Sequence, residues 1–365
     1  MVFDIRKYVL ERLHFPKLVV FDKPGMILHK KKPFFGGKEV VTRTIFVFEE
    51  VYSDLFINTL KEIGVHKASE LWYRIGKEVA LRYLGFYNGF RRNESNIKKM
   101  LNYFSKHFSG AGMSAFDNYN CDFDKGKFYF SGSNSVICRN FFNASYLAGA
   151  LSGMITFLFQ KNVEAEYFCK DCPNGCSLVA DFSFPDKCIV SDDTLKRNSF
   201  VALVKMNHPI KSTLSSFYDF LRFGIVKIDN SNKFSFKDKT IIPVEIGLPM
   251  IFHYNYMDYR LSEIYEKSII KSSERLSKEL FSNQKDVQDK ISAVRNISSA
   301  FGWGEPFILR QGNSVKVSFL NPFFLREKPG ISQYFFNGFL NYLYGQDFYL
   351  KSIGESGIVY SLKES

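Results

Sequence analysis

The sequence lacks an uninterrupted apolar run of the roughly eighteen residues that a membrane-spanning helix requires. Its most apolar stretch, residues 144–159, has the length of a buried core helix. The first seven residues already contain Asp4, Arg6 and Lys7, and they do not resemble a signal peptide. We therefore expect a cytoplasmic protein with no membrane span.

Recognisable catalytic constellations are also missing. His107, His208 and His253 have no acid and nucleophile beside them in a known motif, and a lone histidine is more often a surface or core residue than a general base. The Gly36-Gly37 pair stands alone, without the surrounding residues of a phosphate-binding loop. These absences predict a protein that is not an enzyme.

Cysteine is scarce, with 6 residues in 365, but the cysteines are clustered. Cys169, Cys172 and Cys176 lie within eight residues, between two strand-like runs, and Cys138 precedes the apolar segment upstream. Clustering favours a reducing compartment and metal or redox use over a disulfide framework. The cluster can hold zinc or an iron–sulfur cluster, or its thiols can be unliganded.

Acidic residues are outnumbered by basic ones, which gives a net charge of +12. An excess of this kind is compatible with binding to a nucleic acid or an acidic partner. The basic runs are also what a solvated protein surface contains. The candidate contact residues for RNA, DNA or a ribosome are Lys30, Lys31, Lys32, Arg91, Arg92, Lys98 and Lys99.

Hydrophobic periodicity predicts helices and antiparallel strands in separate segments, which is the α+β class. Strands are predicted over 17–21, 26–30 and 40–48, and Ser53 is a candidate cap for the helix that follows them. Apolar residues recur with helical spacing over 67–84, and further helices are predicted over 96–108 and 258–281. The length of the chain is sufficient for two domains.

The C-terminal part of the sequence repeats an earlier part. Residues 145–159 align without a gap to residues 330–344, so that Gly153 stands 185 positions before Gly338. Residues 18–31 likewise resemble 224–238. We expect an N-terminal helix (1–16), a first unit (17–185), a linker (186–222) and a second unit (223–365) around an internal pseudo-two-fold axis. Chance similarity between Phe-rich segments is the alternative.

Residues 136–149, 163–169 and 175–180 together resemble the closing half of a vinyl-4-reductase domain. In that family a cysteine precedes an apolar helix, a strand carries Glu-x-x-Cys, and a turn delivers a last cysteine. The family is a small-molecule sensor module, similar to the effector-binding domains of phenol-responsive activators and to small subunits of the TRAPP trafficking complex. The resemblance covers 50–184 well and 255–362 more weakly.

The resemblance implies one zinc ion, held by Cys138, Glu166, Cys169 and Cys176, with Cys172 as an alternative ligand. The second unit has Phe323, Lys351 and Gly354 at three of these positions and is predicted to hold no metal.

The resemblance further implies a pocket for an apolar or aromatic ligand. Its walls would come from Trp72, Ile75, Val79, Phe141, Phe142 and Met154 in the first unit, and from Trp303, Phe307 and Phe335 in the second. Each of these residues can instead be ordinary core packing.

Two functions are compatible with these features. The first is a non-enzymatic ligand-binding or sensor protein with a structural zinc, in which the two units form an internal dimer. The second is a basic factor associated with nucleic acid or the ribosome and built on the same scaffold. A third hypothesis is a protein-assembly adaptor that binds a protein partner or a second copy of itself. The sequence shows no helix-turn-helix, ATPase or kinase signature that would give a sensor its output.

Overall fold

The computed structural model describes residues 19–31, 40–85, 90–110, 115–133, 143–171, 175–196, 212–229, 233–320, 331–354 and 357–363. Helices pack against antiparallel sheets in these ranges, and the predicted α+β class is confirmed. The predicted N-terminal helix lies outside the described residues. Within them, no helix combines the length and the apolarity needed to cross a bilayer.

The first half of the described chain runs through seven strands and three helices. In chain order they are β1 (Val19–Lys23), β2 (Met26–Lys31), β3 (Val40–Phe48), α1 (Glu49–Gly85), α2 (Glu94–Gly110), β4 (Ala115–Asp122), β5 (Lys127–Ser133), α3 (Ser145–Phe159), β6 (Glu164–Asp171) and β7 (Gly175–Asp181).

Two short helices, α4 (Asp192–Lys196) and α5 (Phe217–Arg222), precede the second half. The second half then runs through β8 (Val226–Ile228), β9 (Phe234–Phe236), β10 (Lys239–Glu245), α6 (Gly247–Asp258), α7 (Ser262–Phe281), α8 (Val287–Ala300), β11 (Glu305–Gln311), β12 (Ser314–Leu320), α9 (Ile331–Tyr344), β13 (Phe348–Ile353) and β14 (Gly357–Leu362).

A six-stranded sheet joins the two halves, with the strand order β1-β2-β3-β10-β9-β8. Its middle pair, β3 and β10, is antiparallel, with Phe48 opposite Ile241 and Thr44 opposite Glu245. Each half therefore contributes three strands to one continuous hydrogen-bonded sheet.

Each half also has a four-stranded sheet, and the two sheets share one strand order: β4-β5-β7-β6 and β11-β12-β14-β13. Corresponding helices make corresponding bonds. The Thr156 hydroxyl on α3 accepts from the backbone N–H of Val163 at 3.0 Å, and the Asn341 amide oxygen on α9 accepts from the N–H of Phe348 at 2.9 Å. These residues stand 185 positions apart, as the sequence alignment predicts. The correspondence is one of architecture, and a common origin of the halves stays a prediction.

The buried apolar residues of the described ranges form two clusters. Alternate residues of each strand point toward a helix and are buried there. In β12, Val315, Val317 and Phe319 are buried, and their neighbours are more exposed. One cluster lies at the shared sheet and extends under β11–β14. The second lies between α3 and the β4–β7 sheet.

The helix bounds differ from the predicted ones at two places. The first helix begins at Glu49 and places Ser53 inside it, so the proposed Ser53 cap is wrong. That helix runs to Gly85 with a break at Gly64, where φ is 81°. The helix α6 was not predicted, because it is buried on nearly all sides and has no polar face to create a stripe.

Candidate functional site

Two of the predicted zinc ligands meet at the end of the β6–β7 hairpin. Cys169 and Cys176 are direct cross-strand partners, and their Sγ atoms are 3.3 Å apart. Cys176 is buried, and Cys169 is partly buried on the same inner face of the sheet. Two sulfurs on one tetrahedral zinc ion would lie about 3.8 Å apart, given zinc–sulfur bonds of about 2.3 Å. The observed separation is about 0.5 Å shorter than this value.

Glu166 does not join the thiols. It stands three positions before Cys169, and side chains alternate along a strand, so its carboxylate faces the other side of β6. There it forms an ion pair with Lys187, with 2.6 Å between Oε1 and Nζ. Cys138 and Cys172 lie outside the described residues. In the part of the chain that the structure describes, no three His, Cys, Asp or Glu side chains form a metal site, and the zinc site stays a prediction.

The other two described cysteines lie away from this pair. Burial raises the pKa of the Cys121 thiol to about 11, although Lys98 opposes the shift. Burial also raises the pKa of Cys188, against the opposing effect of Lys77 and Arg74. Both thiols therefore stay protonated at neutral pH and are poor nucleophiles.

The predicted pocket residues of the first half are divided between the two core clusters. Trp72 and Ile75 on α1 are fully buried in the central cluster, and the Trp72 indole donates to the Tyr256 hydroxyl at 3.0 Å. Val79 is half-buried beside the same cluster, whereas Met154 on α3 belongs to the other one. Phe141 and Phe142 lie outside the described residues.

In the second half, two of the three predicted pocket residues touch. Trp303 packs edge-on against Phe335 with 4.6 Å between ring centroids, and its indole donates to the Phe46 carbonyl at 2.7 Å. Phe307 is 43% exposed on the opposite face of the sheet, beneath the guanidinium of Arg295. The ligand pocket therefore stays a prediction in both halves of the protein.

A buried amide that the sequence analysis missed lies on α9. Asn337 is fully buried, and neither its Oδ1 nor its Nδ2 has a hydrogen-bond partner among the described residues. At the corresponding position of the first half, 185 residues earlier, the Ser152 hydroxyl donates to the Val163 carbonyl at 2.6 Å. The available sequence signal is the spacing of Gln333, Asn337 and Asn341, which places three amides on one side of an apolar helix.

A second missed network connects the halves. The buried Glu78 carboxylate on α1 pairs with Arg82 at 2.7 Å and accepts from the Asn255 amide of α6 at 2.8 Å. The Tyr256 hydroxyl bonds Thr59 at 2.6 Å on the same pair of helices. These polar contacts fix α6 against α1 across the boundary between the halves.

A fully buried ion pair lies inside the first half. Lys77 Nζ is 2.8 Å from Glu164 Oε1, and the Tyr73 hydroxyl donates to the other carboxylate oxygen at 2.5 Å. Burial raises the pKa of Glu164, but hydrogen bonds from Lys77, Tyr73 and the Cys188 backbone outweigh burial and hold the pKa below its usual value. Every polar atom here has a protein partner, so the network is structural.

The described members of the predicted basic set are spread over the start of α2. Arg91, Arg92, Lys98 and Lys99 are exposed. The Arg92 guanidinium lies 5.2 Å from the centre of the Phe157 ring, and Lys98 pairs with Glu94. Lys32 and the side chains of Lys30 and Lys31 lie outside the described part. Nucleic-acid contact by this set stays a prediction.

No protein-family model matches the sequence, and no curated protein matches it. Among solved structures, a match is the phenol-responsive sensory domain of the transcription activator PoxR, solved with phenol. The identity is 15%, the TM-score is 0.32, and the match covers 42% of this chain and 84% of that chain. The resemblance to vinyl-4-reductase domains stays a prediction.

Proposed function

We propose that the protein is a non-enzymatic ligand-binding protein whose second half holds a small, largely apolar molecule between α9 and the β11–β14 sheet. The observation that carries the proposal is the unpartnered amide of Asn337. Burying an amide without a hydrogen bond costs several kcal/mol, and buried polar groups in folded proteins nearly always have partners. A bound molecule with a hydroxyl or carbonyl group would supply the missing bonds.

The neighbours of Asn337 support a site for such a molecule between α9 and the sheet. One turn earlier, the Gln333 carbonyl accepts from the Tyr360 hydroxyl of β14 at 2.6 Å, and one turn later Asn341 bonds the start of β13. Asn337, one turn before Asn341, lies on the side of α9 that contacts the start of β13. The adjacent Phe336 ring packs edge-on against Phe319 at 5.0 Å. Apolar walls with one polar anchor suit an aromatic or aliphatic ligand that carries a single oxygen function.

We further propose that one zinc ion in the first half is structural. Cys169 and Cys176 would supply two of its thiolates, and Cys138 with Cys172 would complete the set. When bound, zinc would close the β6–β7 hairpin by ligand bonds that contribute to folding free energy. The 3.3 Å approach of the two thiols supports this proposal.

The experiment for ligand binding compares small molecules that copurify with the wild type and with Asn337→Leu, by mass spectrometry of extracts from the native proteins. We expect one compound to be retained near stoichiometry by the wild type and lost from the variant. Ser152→Ala, at the corresponding position of the first half, is the matched control and should retain the compound. A wild type that retains no compound, together with an Asn337→Leu variant that is more stable than the wild type, would contradict the proposal.

A further inference from the structure

The outer face of the β11–β14 sheet exposes large apolar side chains. The side chains of Phe307, Leu309 and Tyr349 are 43%, 54% and 42% exposed, while alternate residues of the same strands pack inward against the core. Soluble monomers rarely expose several such residues on one flat surface unless the surface binds something.

Strand register fixes how these side chains are arranged. Leu309 is opposite Lys316, and Lys316 is opposite Val359, so the lysine lies near the middle of the face. Phe307 lies on the edge strand β11, two residues to one side of the Leu309–Lys316 pair. Tyr349 lies on the other edge strand, β13, two residues to the other side of that level of the sheet. Standard strand spacings put the two rings about 20 Å apart at opposite corners. The outer face thus has the Lys316 ammonium group near its centre, between two exposed aromatic rings.

The charge of this sheet distinguishes it from the corresponding sheet of the first half. Strands β11–β14 carry Arg310, Lys316 and Lys351, all exposed, and one acid, Glu305, which is only 6% exposed. The corresponding strands β4–β7 have two basic residues and six acidic ones. They are Lys127 and Lys170, and Asp117, Asp122, Glu164, Glu166, Asp171 and Asp181. Two of these acids, Glu164 and Asp181, are buried like Glu305. The β11–β14 sheet is therefore the more basic of the two.

We propose that the outer face of the β11–β14 sheet binds single-stranded nucleic acid. Unpaired bases would stack on Phe307 and Tyr349, and phosphates would contact Lys316 and Lys351 between and beside the rings. Flat antiparallel sheets with exposed rings and basic residues bind single strands this way, because an unstacked base has a free π-face and every base stacks on an aromatic ring. This site is separate from the ligand site under the inner face of the same sheet.

One arginine extends the basic surface at the rim. The Arg295 guanidinium lies 4.7 Å from the centre of the Phe307 ring, whereas Arg310 is on the other side of β11 and lies 4.6 Å from the Tyr344 ring of α9. A guanidinium stacked on one side of an exposed ring leaves the other side for a base. A second copy of the chain fits less well, because a symmetric contact through this face would place Lys316 opposite its own counterpart.

The test is a fluorescence-anisotropy titration of the full chain with labelled oligo-U and oligo-dT of about twelve nucleotides, a length suited to one binding platform. We expect Phe307→Ala and Tyr349→Ala each to weaken binding by about tenfold or more, since stacking on one ring carries that much affinity. Lys316→Gln should lower the slope of log affinity against log salt by about 0.7. Comparing the two oligonucleotides shows whether the face prefers RNA or DNA.

Two kinds of variant serve as controls. Tyr129→Ala and Phe168→Ala remove exposed rings from the outer face of the acidic sheet and should leave affinity unchanged. Tyr349→Phe retains stacking and should bind like the wild type, which separates ring stacking from damage to the strand. If Phe307→Ala does not fold, the comparison of Tyr349→Ala with Tyr349→Phe decides the question.

Several results would overturn the proposal. They are no wild-type binding at about 50 mM salt, equal binding of duplex and single strand, or loss of binding only in the acidic-sheet controls. Light scattering that shows a dimer abolished by Tyr349→Ala would assign the face to a second copy instead. Binding to vesicles containing phosphatidylserine, without binding to either oligonucleotide, would assign it to a membrane surface.

Discussion

At the scale of single residues, two glycines set how closely the paired helices approach. A Cβ atom on Gly153 would lie 2.4 Å from the Lys77 carbonyl oxygen, and one on Gly338 would lie 2.2 Å from that of Ile270. Both are backbone contacts that a side-chain rotation cannot relieve. The helix pairs α3–α1 and α9–α7 therefore require glycine at these crossings.

We predict that Gly338→Ala destabilises the protein by about 1–3 kcal/mol, the usual cost of forcing an extra methyl group into a packed interface. Urea unfolding followed by circular dichroism measures the change. Gly85→Ala is the matched control, because no described atom beyond its own helix turn and chain neighbours lies within 4 Å of its added Cβ, and its effect should stay within about 1 kcal/mol. Equal effects of the two substitutions would contradict the close approach of α9 to α7.

The buried pair of Lys77 and Glu164 gives a second prediction. Lys77→Met leaves the Glu164 carboxylate buried without its cation, which should cost about 3–5 kcal/mol. Lys98→Met, which breaks the exposed pair with Glu94, should cost about 0.5 kcal/mol or less. Similar costs for the two variants in urea unfolding at pH 7 would show that the Lys77 pair is solvated.

The same pair makes stability depend on pH with a defined sign. The folded pKa of Glu164 lies below its ordinary value of 4.5. Its contribution to stability is therefore fully present above that ordinary value and is lost as the pH falls through the lower, folded pKa. Unfolding free energies measured between about pH 7 and pH 3 should fall less steeply in Glu164→Gln than in the wild type. An unchanged slope would contradict the assignment.

At the scale of elements, the β6–β7 hairpin shows how strand pairing creates a site from a sequence motif. Residues seven apart in the chain become direct neighbours because the two strands pair with Cys169 opposite Cys176. The bulge between Cys169 and Asp171 lies at the end of this ladder. Pairing thus brings two thiols together, whereas alternation of side chains sends Glu166 to the other face.

Metal analysis of protein purified without chelator should find about one zinc ion per chain. Cys169→Ser combined with Cys176→Ser should abolish the metal and lower the thermal midpoint, because metal binding contributes to folding free energy. Cys121→Ser, a thiol on another strand, should keep the metal. Plasma mass spectrometry measures the content, and a value of none or of two per chain would refute the single site.

At the scale of the whole molecule, the two halves are joined by more than the connecting chain. The shared sheet crosses from β3 to β10, and the Arg43 guanidinium donates to Gly25 and Gly302, both at 2.8 Å, from opposite halves. The Glu78–Asn255 bond adds a polar contact between α1 and α6. A half on its own would expose the edge of the sheet and the apolar surface beneath it.

Fragments 1–196 and 212–365 should therefore copurify when expressed together, with a tag on one of them. Each fragment alone should aggregate or remain partly unfolded, because its three strands lack the other half of the sheet. Phe46→Glu, placed opposite Pro243 at the sheet centre, should prevent copurification, while Tyr129→Glu on an outer face should not. Two fragments that fold independently as monomers would show that the shared sheet is dispensable.

The α+β class, the strands near 26–30 and 40–48, and the helices around Gly153 and Gly338 could be predicted from the sequence by itself. Each depends on local periodicity, which reports whether a face of an element is buried. The proximity of the Cys169 and Cys176 thiols could also be predicted, because residues seven positions apart can face each other across a hairpin turn. The helix α6 was not, because a segment buried on nearly all sides has no polar face to reveal its period.

Only the tertiary structure decided which strands and side chains meet over long separations. Ile241 lies opposite Phe48, and Asn255 bonds Glu78 across 177 positions. The unpartnered Asn337, and the difference in charge between two sheets of the same order, also emerge only when strands are placed side by side. The periodicity of apolar residues depends on residues that are close in the sequence. Which strands and side chains pair depends on the free energies of contacts between residues that are far apart in the sequence. No local pattern contains that information.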